Sequence, residues 1–205
     1  MTVRHVEVLV EEPSAEEVLR LILPKILRGT SFQVYRHQCK EQLLKRLPQR
    51  LQGYANFLPP DWRIVVVVDR DDDDCHKLKG RPEKMALAKG LATRSRPVEG
   101  AYVVVNRLAI EELEAWYFGD WEAVRSAYPR VPDTIPAQAA YRDPDRIAGG
   151  TWEAFERVLR KAGYFKAGLQ KVTAAREVAA HMVPERNGSR SFQVLREALE
   201  EMATP

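Results

Sequence analysis

The sequence predicts an α/β protein with about four mostly parallel strands flanked by helices, and with a helical C-terminal region. The strongest indication is the run from Ile64 to Val68, which is rich in β-branched residues and leads directly into Asp69. Such a run is typical of a central parallel strand that is buried on both faces. Strand-like and helix-like segments alternate through residues 1–128, and this alternation is typical of a parallel sheet.

The first half of the chain supplies the elements of this sheet in order. Alternating valines predict a first strand over residues 3–10. A helix follows, which we expect to open with a capping box of Ser14 and Glu17, and Pro24 should kink it or end it early. The later elements are predicted from β-branched runs or from apolar residues at helical spacing: strands at 32–35, 63–69 and 101–105, and helices at 40–54, 82–93, 110–118 and 121–128.

The composition changes after residue 128. Residues 129–150 contain four prolines and the pair Gly149-Gly150, which predicts a loop or linker. Three amphipathic helical segments follow, at 151–162, 168–181 and 191–202. The sequence therefore predicts an α/β domain over 1–128, a loop or linker over 129–150, and a helical region over 151–205 that packs on the same domain.

Size and composition limit the class of protein. The 205 residues are 45% hydrophobic and 30% charged with both signs mixed, which favours a folded domain over a disordered chain. The net charge of +3 is compatible with nucleic acid as a partner without requiring it. No apolar segment approaches the ~20 residues that cross a bilayer, and no signal-peptide pattern opens the chain. With two cysteines only, these features predict a cytoplasmic protein that does not enter a membrane.

Acidic residues fall at the ends of the predicted elements. Glu11 follows the first strand, Asp69 and Asp71 end the buried strand, and Glu114 lies in the helix after the last strand. Ligands of open α/β sheets bind at the carboxyl ends of the strands. Two charges about 4 Å apart repel by roughly 4 kcal/mol at an effective dielectric constant of about 20. We therefore expect a divalent cation to offset this repulsion, with Asp73 as a candidate ligand of a second ion.

Four further acids are compatible with purely structural roles. Glu16, Glu17, Glu111 and Glu112 lie near the starts of predicted helices. Carboxylates at that end complement the helix dipole and need no ligand. The sequence leaves the role of these four residues open.

Basic residues near the acids are candidates for phosphate contacts. Lys77 and Lys79 follow the acidic run, where they would contact the phosphates of a substrate, or would serve only as counter-charges of a solvated acidic turn. Arg190 lies in the loop that opens the last helix, and backbone amides at that end favour an anion. A simple N-cap by Ser189 or Ser191 is the alternative explanation of that loop.

Three segments resemble a small stand-alone Toprim-like family of prokaryotes that is described as a domain of unknown function. They are Asp-Arg-Asp-Asp-Asp-Asp-Cys at 69–75, Ile-Glu-Glu-Leu-Glu-Ala-Trp at 110–116 and Ser-Arg-Ser-Phe at 189–192. More distantly, residues 9–16 and the Asp-x-Asp at 69–71 are similar to motifs of the Toprim domains of topoisomerases, primases and overcoming-lysogenization-defect nucleases. Glu12 and Pro13 stand here in place of the usual glycine-containing turn.

The resemblance implies a Toprim-like fold with an Mg²⁺ or Mn²⁺ site that acts on nucleic-acid phosphodiesters, often beside an ATPase partner in defence against phage. By position, Asp69 and Asp71 would hold the metal, Glu11 would be a general acid or base or a metal ligand, and Glu114 would be a further acidic member. The expected function is a metal-dependent nuclease or a related phosphoryl-transfer enzyme. The alternative is a non-catalytic effector module that binds nucleotide or nucleic acid under the control of a partner ATPase. The choice of DNA or RNA, the number of metals and the oligomeric state stay open.

Overall fold

The structure, a computed structural model, describes residues 2–69, 75–109 and 112–203. Its strands form one sheet in the order β2-β1-β3-β4, and every neighbouring pair is parallel. The α/β fold with a parallel sheet and flanking helices is thereby confirmed. The strands are β1 (His5–Val10), β2 (Ser31–Arg36), β3 (Trp62–Asp69) and β4 (Val104–Ala109).

The helices within the described residues cover both faces of the sheet. They are α1 (Pro13–Leu27), α2 (Lys40–Phe57), α3 (Cys75–Leu87), α4 (Ala115–Gly119), α5 (Trp121–Ala127), α6 (Thr151–Lys161), α7 (Lys171–His181) and α8 (Arg190–Ala203). Leucines of α2 and α3 pack on the face that carries Val66 and Val68. Helices α1 and α4 to α8 pack on the opposite face, which carries Val65 and Val67. Strand β3 is thus buried on both faces, which explains its continuous apolar run.

The helical C-terminal region shares the larger of these two cores. Helix α7 packs against α1 and α5, and α8 packs against α1 and β4. Residues 129–150, expected to be a loop or linker, contain two short 3-10 turns, Ile135–Ala137 and Pro144–Arg146. Among the helices described, none combines the length and the apolar character that crossing a bilayer requires.

Several elements differ from their predicted bounds; helix α4, for example, begins at Ala115 and not at residue 110. Strand β4 begins at Val104 and not at residue 101, because Val98 and Ala101 exchange two backbone hydrogen bonds of 2.9 and 2.8 Å across a tight turn. Glu99 and Gly100 of that turn have φ angles of 49° and 79°, which is the backbone of a two-residue hairpin turn. Helix α3 begins at Cys75, seven residues before the predicted start at 82.

Helix α1 differs from its prediction at both ends. The expected capping box is wrong: the helix begins at Pro13, and the Ser14 hydroxyl donates to Oε1 of Glu12 at 2.6 Å. The helix also continues through Pro24 to Leu27. Pro24 lies on the exposed face, where water can bond the carbonyl group that loses its amide donor.

Candidate functional site

The structure brings acidic residues to one edge of the sheet, where three neighbouring strands end. Val10 lies opposite Val67 in the β1–β3 pair, and Asp69 lies opposite Ala109 in the β3–β4 pair. Neighbouring strands are about 4.8 Å apart and rise ~3.3 Å per residue, so the backbones at Glu11 and Asp69 are separated by roughly 6 Å. The two residues therefore lie on adjacent strands at the same edge of the sheet.

The position of this edge in the topology favours ligand binding. From β1 the chain passes through α1 to β2 on one side, and β3 lies on the other side of β1. The strand order therefore changes direction between β1 and β3. Open α/β sheets bind their ligands at such topological switch points. Glu11 and Asp69, which end these two strands, are both buried, with exposed fractions of 7% and 6%.

Glu114 follows β4 and is the most deeply buried acid of this group, with an exposed fraction of 1%. Neither of its carboxylate oxygens hydrogen-bonds another residue of the described chain. Burial raises the pKa of Glu114 to about 7, with Glu12 and Glu112 adding to the rise and Lys171 opposing it. A carboxyl group with this pKa exists in both protonation states at neutral pH, which is the property of a general acid or base.

Lys171 also lies near this edge, and the sequence does not predict it. Burial alone would lower its pKa, but the charges of Glu114, Glu12, Glu112 and Asp69 raise the pKa on balance, so the ammonium group lies close enough to these acids to interact with their charge. Its Nζ atom also lies 5.1 Å from the centre of a tryptophan ring in α6. No local pattern marks this lysine, because it reaches the acids only when the first residue of α7 packs near the end of the sheet.

Tyr117 adds a buried hydroxyl to the same edge. Tyr117 is 1% exposed, and its hydroxyl oxygen has no hydrogen-bond partner among the residues described. Burial raises the pKa of the phenol well above its usual range, and the charges of Glu114, Glu12 and Asp69 raise it further. The hydroxyl therefore stays protonated and is available as a hydrogen-bond donor.

Three of the acids whose role the sequence leaves open have structural partners. Glu112 accepts hydrogen bonds from Thr151 Oγ1 at 3.1 Å and from the amide of the next residue at 2.9 Å, so it caps α6. Glu16 pairs with arginines at 2.8 and 3.0 Å, and Glu17 pairs with Arg176 at 3.0 Å. Glu111 lies outside the described residues.

The predicted metal ligands divide between the described and the undescribed parts of the chain. Glu11 and Asp69 lie at the sheet edge, whereas Asp71 and Asp73 lie outside the described residues, as does the side chain of Lys77. Within 2–69, 75–109 and 112–203, no three His, Cys, Asp or Glu side chains are grouped so that they could hold a metal ion. The carboxylate oxygens at this edge nevertheless suit a hard cation, because several carboxylates lie near the single positive charge of Lys171.

The structure does not bring Arg190 or Lys79 to the acids. The Arg190 guanidinium is exposed and pairs with Glu197 at 3.3 Å. Asp145 already accepts the Arg190 amide at 2.6 Å, and the Ser189 hydroxyl accepts the Phe192 amide at 3.3 Å, so the N-cap explanation of this loop is correct. Lys79 lines a cavity at the outer edge of β4.

Comparison with known proteins identifies the family. A family model described as "Domain of unknown function (DUF4276)" matches residues 10–200. The chain belongs to the DUF4276 family. The predicted resemblance to a family of unknown function is thereby confirmed, whereas nothing in the comparisons links DUF4276 to Toprim domains. No curated protein and no solved structure matches the chain.

Proposed function

We propose that this DUF4276 protein is a metal-dependent phosphodiesterase that acts on nucleic acid, with its site at the carboxyl edge of the sheet. The observation that carries the proposal is the convergence of buried acids after three neighbouring parallel strands, β1, β3 and β4. The resemblance of residues 9–16 and 69–71 to Toprim motifs supports the same chemistry. The proposal treats Mg²⁺ or Mn²⁺ as the cofactor.

The metal ligands in this proposal come from two strands. Glu11 and Asp69 provide carboxylates from the ends of β1 and β3, and Asp71 and Asp73 complete the set from the segment that follows. Oxygen ligands of this kind suit Mg²⁺, which also keeps waters and substrate phosphates in its shell. An ion held by these residues would supply polarisation of the phosphodiester and stabilisation of the leaving oxygen.

The other buried groups handle protons and charge. Glu114, with a pKa of about 7, takes up and releases a proton at neutral pH. Lys171 supplies a positive charge next to the acids, and Tyr117 supplies a protonated hydroxyl. Both groups can stabilise negative charge on phosphate oxygens in a site from which water is largely excluded.

Cleavage of single-stranded and double-stranded DNA and RNA tests the proposal. The wild-type protein should cleave at least one of these substrates in Mg²⁺ or Mn²⁺ and should be inactive in a chelator. Asp69→Asn should abolish cleavage without unfolding the protein, whereas Asp133→Asn, which changes an exposed aspartate, should leave cleavage unchanged. Equal cleavage by the wild type and Asp69→Asn would refute the assignment.

Lys171 favours a second candidate, a non-catalytic effector module that binds nucleotide or nucleic acid and is controlled by a partner ATPase. An ammonium group that already lies among the acids offsets part of their charge without a metal. This candidate predicts no turnover by the isolated protein in any metal, together with co-purification of an ATPase from cells. Cleavage by the isolated protein would exclude it.

A further inference from the structure

A second charged site lies away from the acids, at the outer edge of β4. A cavity of about 430 Å³ opens there, and we call it the β4-edge cavity. Three cationic side chains line it, Lys79 from α3, Arg94 from the loop before β4, and Arg107 from β4 itself. Tyr102 and Glu201 also line the cavity.

Arg107 is the least satisfied of these cations. Its Nε atom is buried without a hydrogen-bond partner among the described residues, and its Nη1 atom makes only a long bond of 3.4 Å to the Asn106 carbonyl. Burial lowers the pKa of Arg107 and the neighbouring charge of Arg94 lowers it further, whereas the charges of Glu83 and Glu201 oppose part of this fall. Because a buried guanidinium group is costly unless it is paired, this position favours an anion.

The carboxylates near Arg107 are bound to other groups. Glu201 accepts from Arg94 at 2.6 and 3.0 Å through one oxygen and from the Tyr102 hydroxyl at 2.8 Å through the other. Glu83 accepts from a serine hydroxyl at 2.5 Å and from the Asn106 amide at 2.9 Å. Neither of them forms an ion pair with Arg107 in the described structure, so the cavity retains unpaired positive charge.

We propose that the β4-edge cavity binds a phosphate group, which Arg107, Arg94 and Lys79 hold together, and that Glu201 bonds Arg94 in its place when phosphate is absent. A phosphate has the charge and the several acceptor oxygens that arginine forks bind best. The Glu201 carboxylate, with two acceptor oxygens, imitates part of such a ligand. This proposal is independent of the metal site, because it concerns binding at a different edge of β4.

Two sources of this phosphate are compatible with the geometry. Arg107 lies opposite Val67, two residues before the level of Asp69, so the cavity begins about 7 Å along the strand from the acids. A backbone phosphate of a nucleic-acid strand bound at the acids could therefore reach it. A free phosphate or the phosphate of a nucleotide could occupy it equally well.

Titration calorimetry with inorganic phosphate tests the site, and thermal unfolding tests the state of Arg107. Wild type should bind phosphate, and Arg107→Met should bind it at least about tenfold more weakly, since hydrogen bonds to charged groups are lost. Without phosphate, Arg107→Met should unfold at a higher temperature than wild type, because it removes an unpaired buried charge. The exposed Arg146→Gln is the matched control and should change neither result.

A second variant keeps the test independent of any folding defect in Arg107→Met. Glu201→Gln weakens the internal competitor and should tighten phosphate binding several-fold. Unchanged binding by Glu201→Gln, or equal phosphate binding by wild type and Arg107→Met, would overturn the proposal.

An oligonucleotide distinguishes the two sources. If the phosphate belongs to a nucleic-acid strand, Arg107→Met should weaken oligonucleotide binding and reduce its dependence on salt by about one phosphate contact. If the ligand is a free phosphate or a nucleotide, only the binding of inorganic phosphate should be lost. If Arg107→Met keeps both oligonucleotide binding and inorganic phosphate binding, the assignment of this cavity is wrong.

Discussion

Replacing Glu114 by Gln should remove a pH dependence of stability that the buried carboxyl group imposes on the fold. Burial raises the pKa of Glu114 from its ordinary value of 4.5 to about 7. At ~1.36 kcal/mol per pKa unit, this rise corresponds to about 3 kcal/mol. Between these two pH values the folded protein holds more protons than the unfolded chain. The contribution of protonated Glu114 to the free energy of unfolding is therefore complete below pH ~4.5 and is lost as the pH rises through ~7.

Gln keeps the shape of the protonated Glu114 and cannot ionise. Glu114→Gln and the wild type should therefore have similar free energies of unfolding at pH ~5. At pH ~8 the variant should be more stable by about 2 to 3 kcal/mol, because only the wild type must hold a buried carboxylate.

Urea unfolding at the two pH values, followed by tryptophan fluorescence in the presence of a chelator, measures this difference. The pH effects of all other groups are common to both proteins and cancel. Glu185→Gln removes the same charge from an exposed position and should keep the pH dependence of the wild type. If Glu114→Gln is destabilised equally at both pH values, Glu114 is a well-bonded anion in the fold and the reasoning is wrong.

Two more predictions test the surroundings of the site. Lys171→Met removes the positive charge that lowers the pKa of Glu114, so a carboxyl NMR titration should place that pKa above about 7; a lower value would contradict the electrostatic effect of Lys171 on Glu114. Gly119→Ala would place a Cβ atom 2.7 Å from the amide nitrogen of Ser189 and should lower the free energy of unfolding by about 1 to 3 kcal/mol in urea. In the open helical position of Gly53, the same change should stabilise the protein by up to about 1 kcal/mol, and equal effects at the two glycines would contradict the packing.

The sequence predicts the sheet well because its signals are local. A continuous run of β-branched residues predicts β3. The acids after this run predict the ligand-binding edge, because residues that follow parallel strands lie at the carboxyl edge of the sheet. The prediction is wrong at the start of β4, because Val98 to Ala101 form a hairpin turn and the strand begins only at Val104.

The candidate site could be predicted only in part. Glu11, Asp69 and Glu114 are recognisable because each follows an apolar strand. Lys171 is not recognisable, because no sequence pattern indicates that a lysine at the start of this helix is buried. Only the packing of α7 against α1 and α5 brings it near the acids. Arg107 is hidden for the same reason, because an arginine in an edge strand is an ordinary surface residue.

Calorimetric titration of the protein with Mn²⁺ is the most direct test of the metal site. The wild type should bind the ion, and Asp69→Asn and Asp71→Asn should each lose that binding while they remain folded. Retained binding in both variants, or a wild-type protein that binds neither Mn²⁺ nor Mg²⁺, would contradict the account.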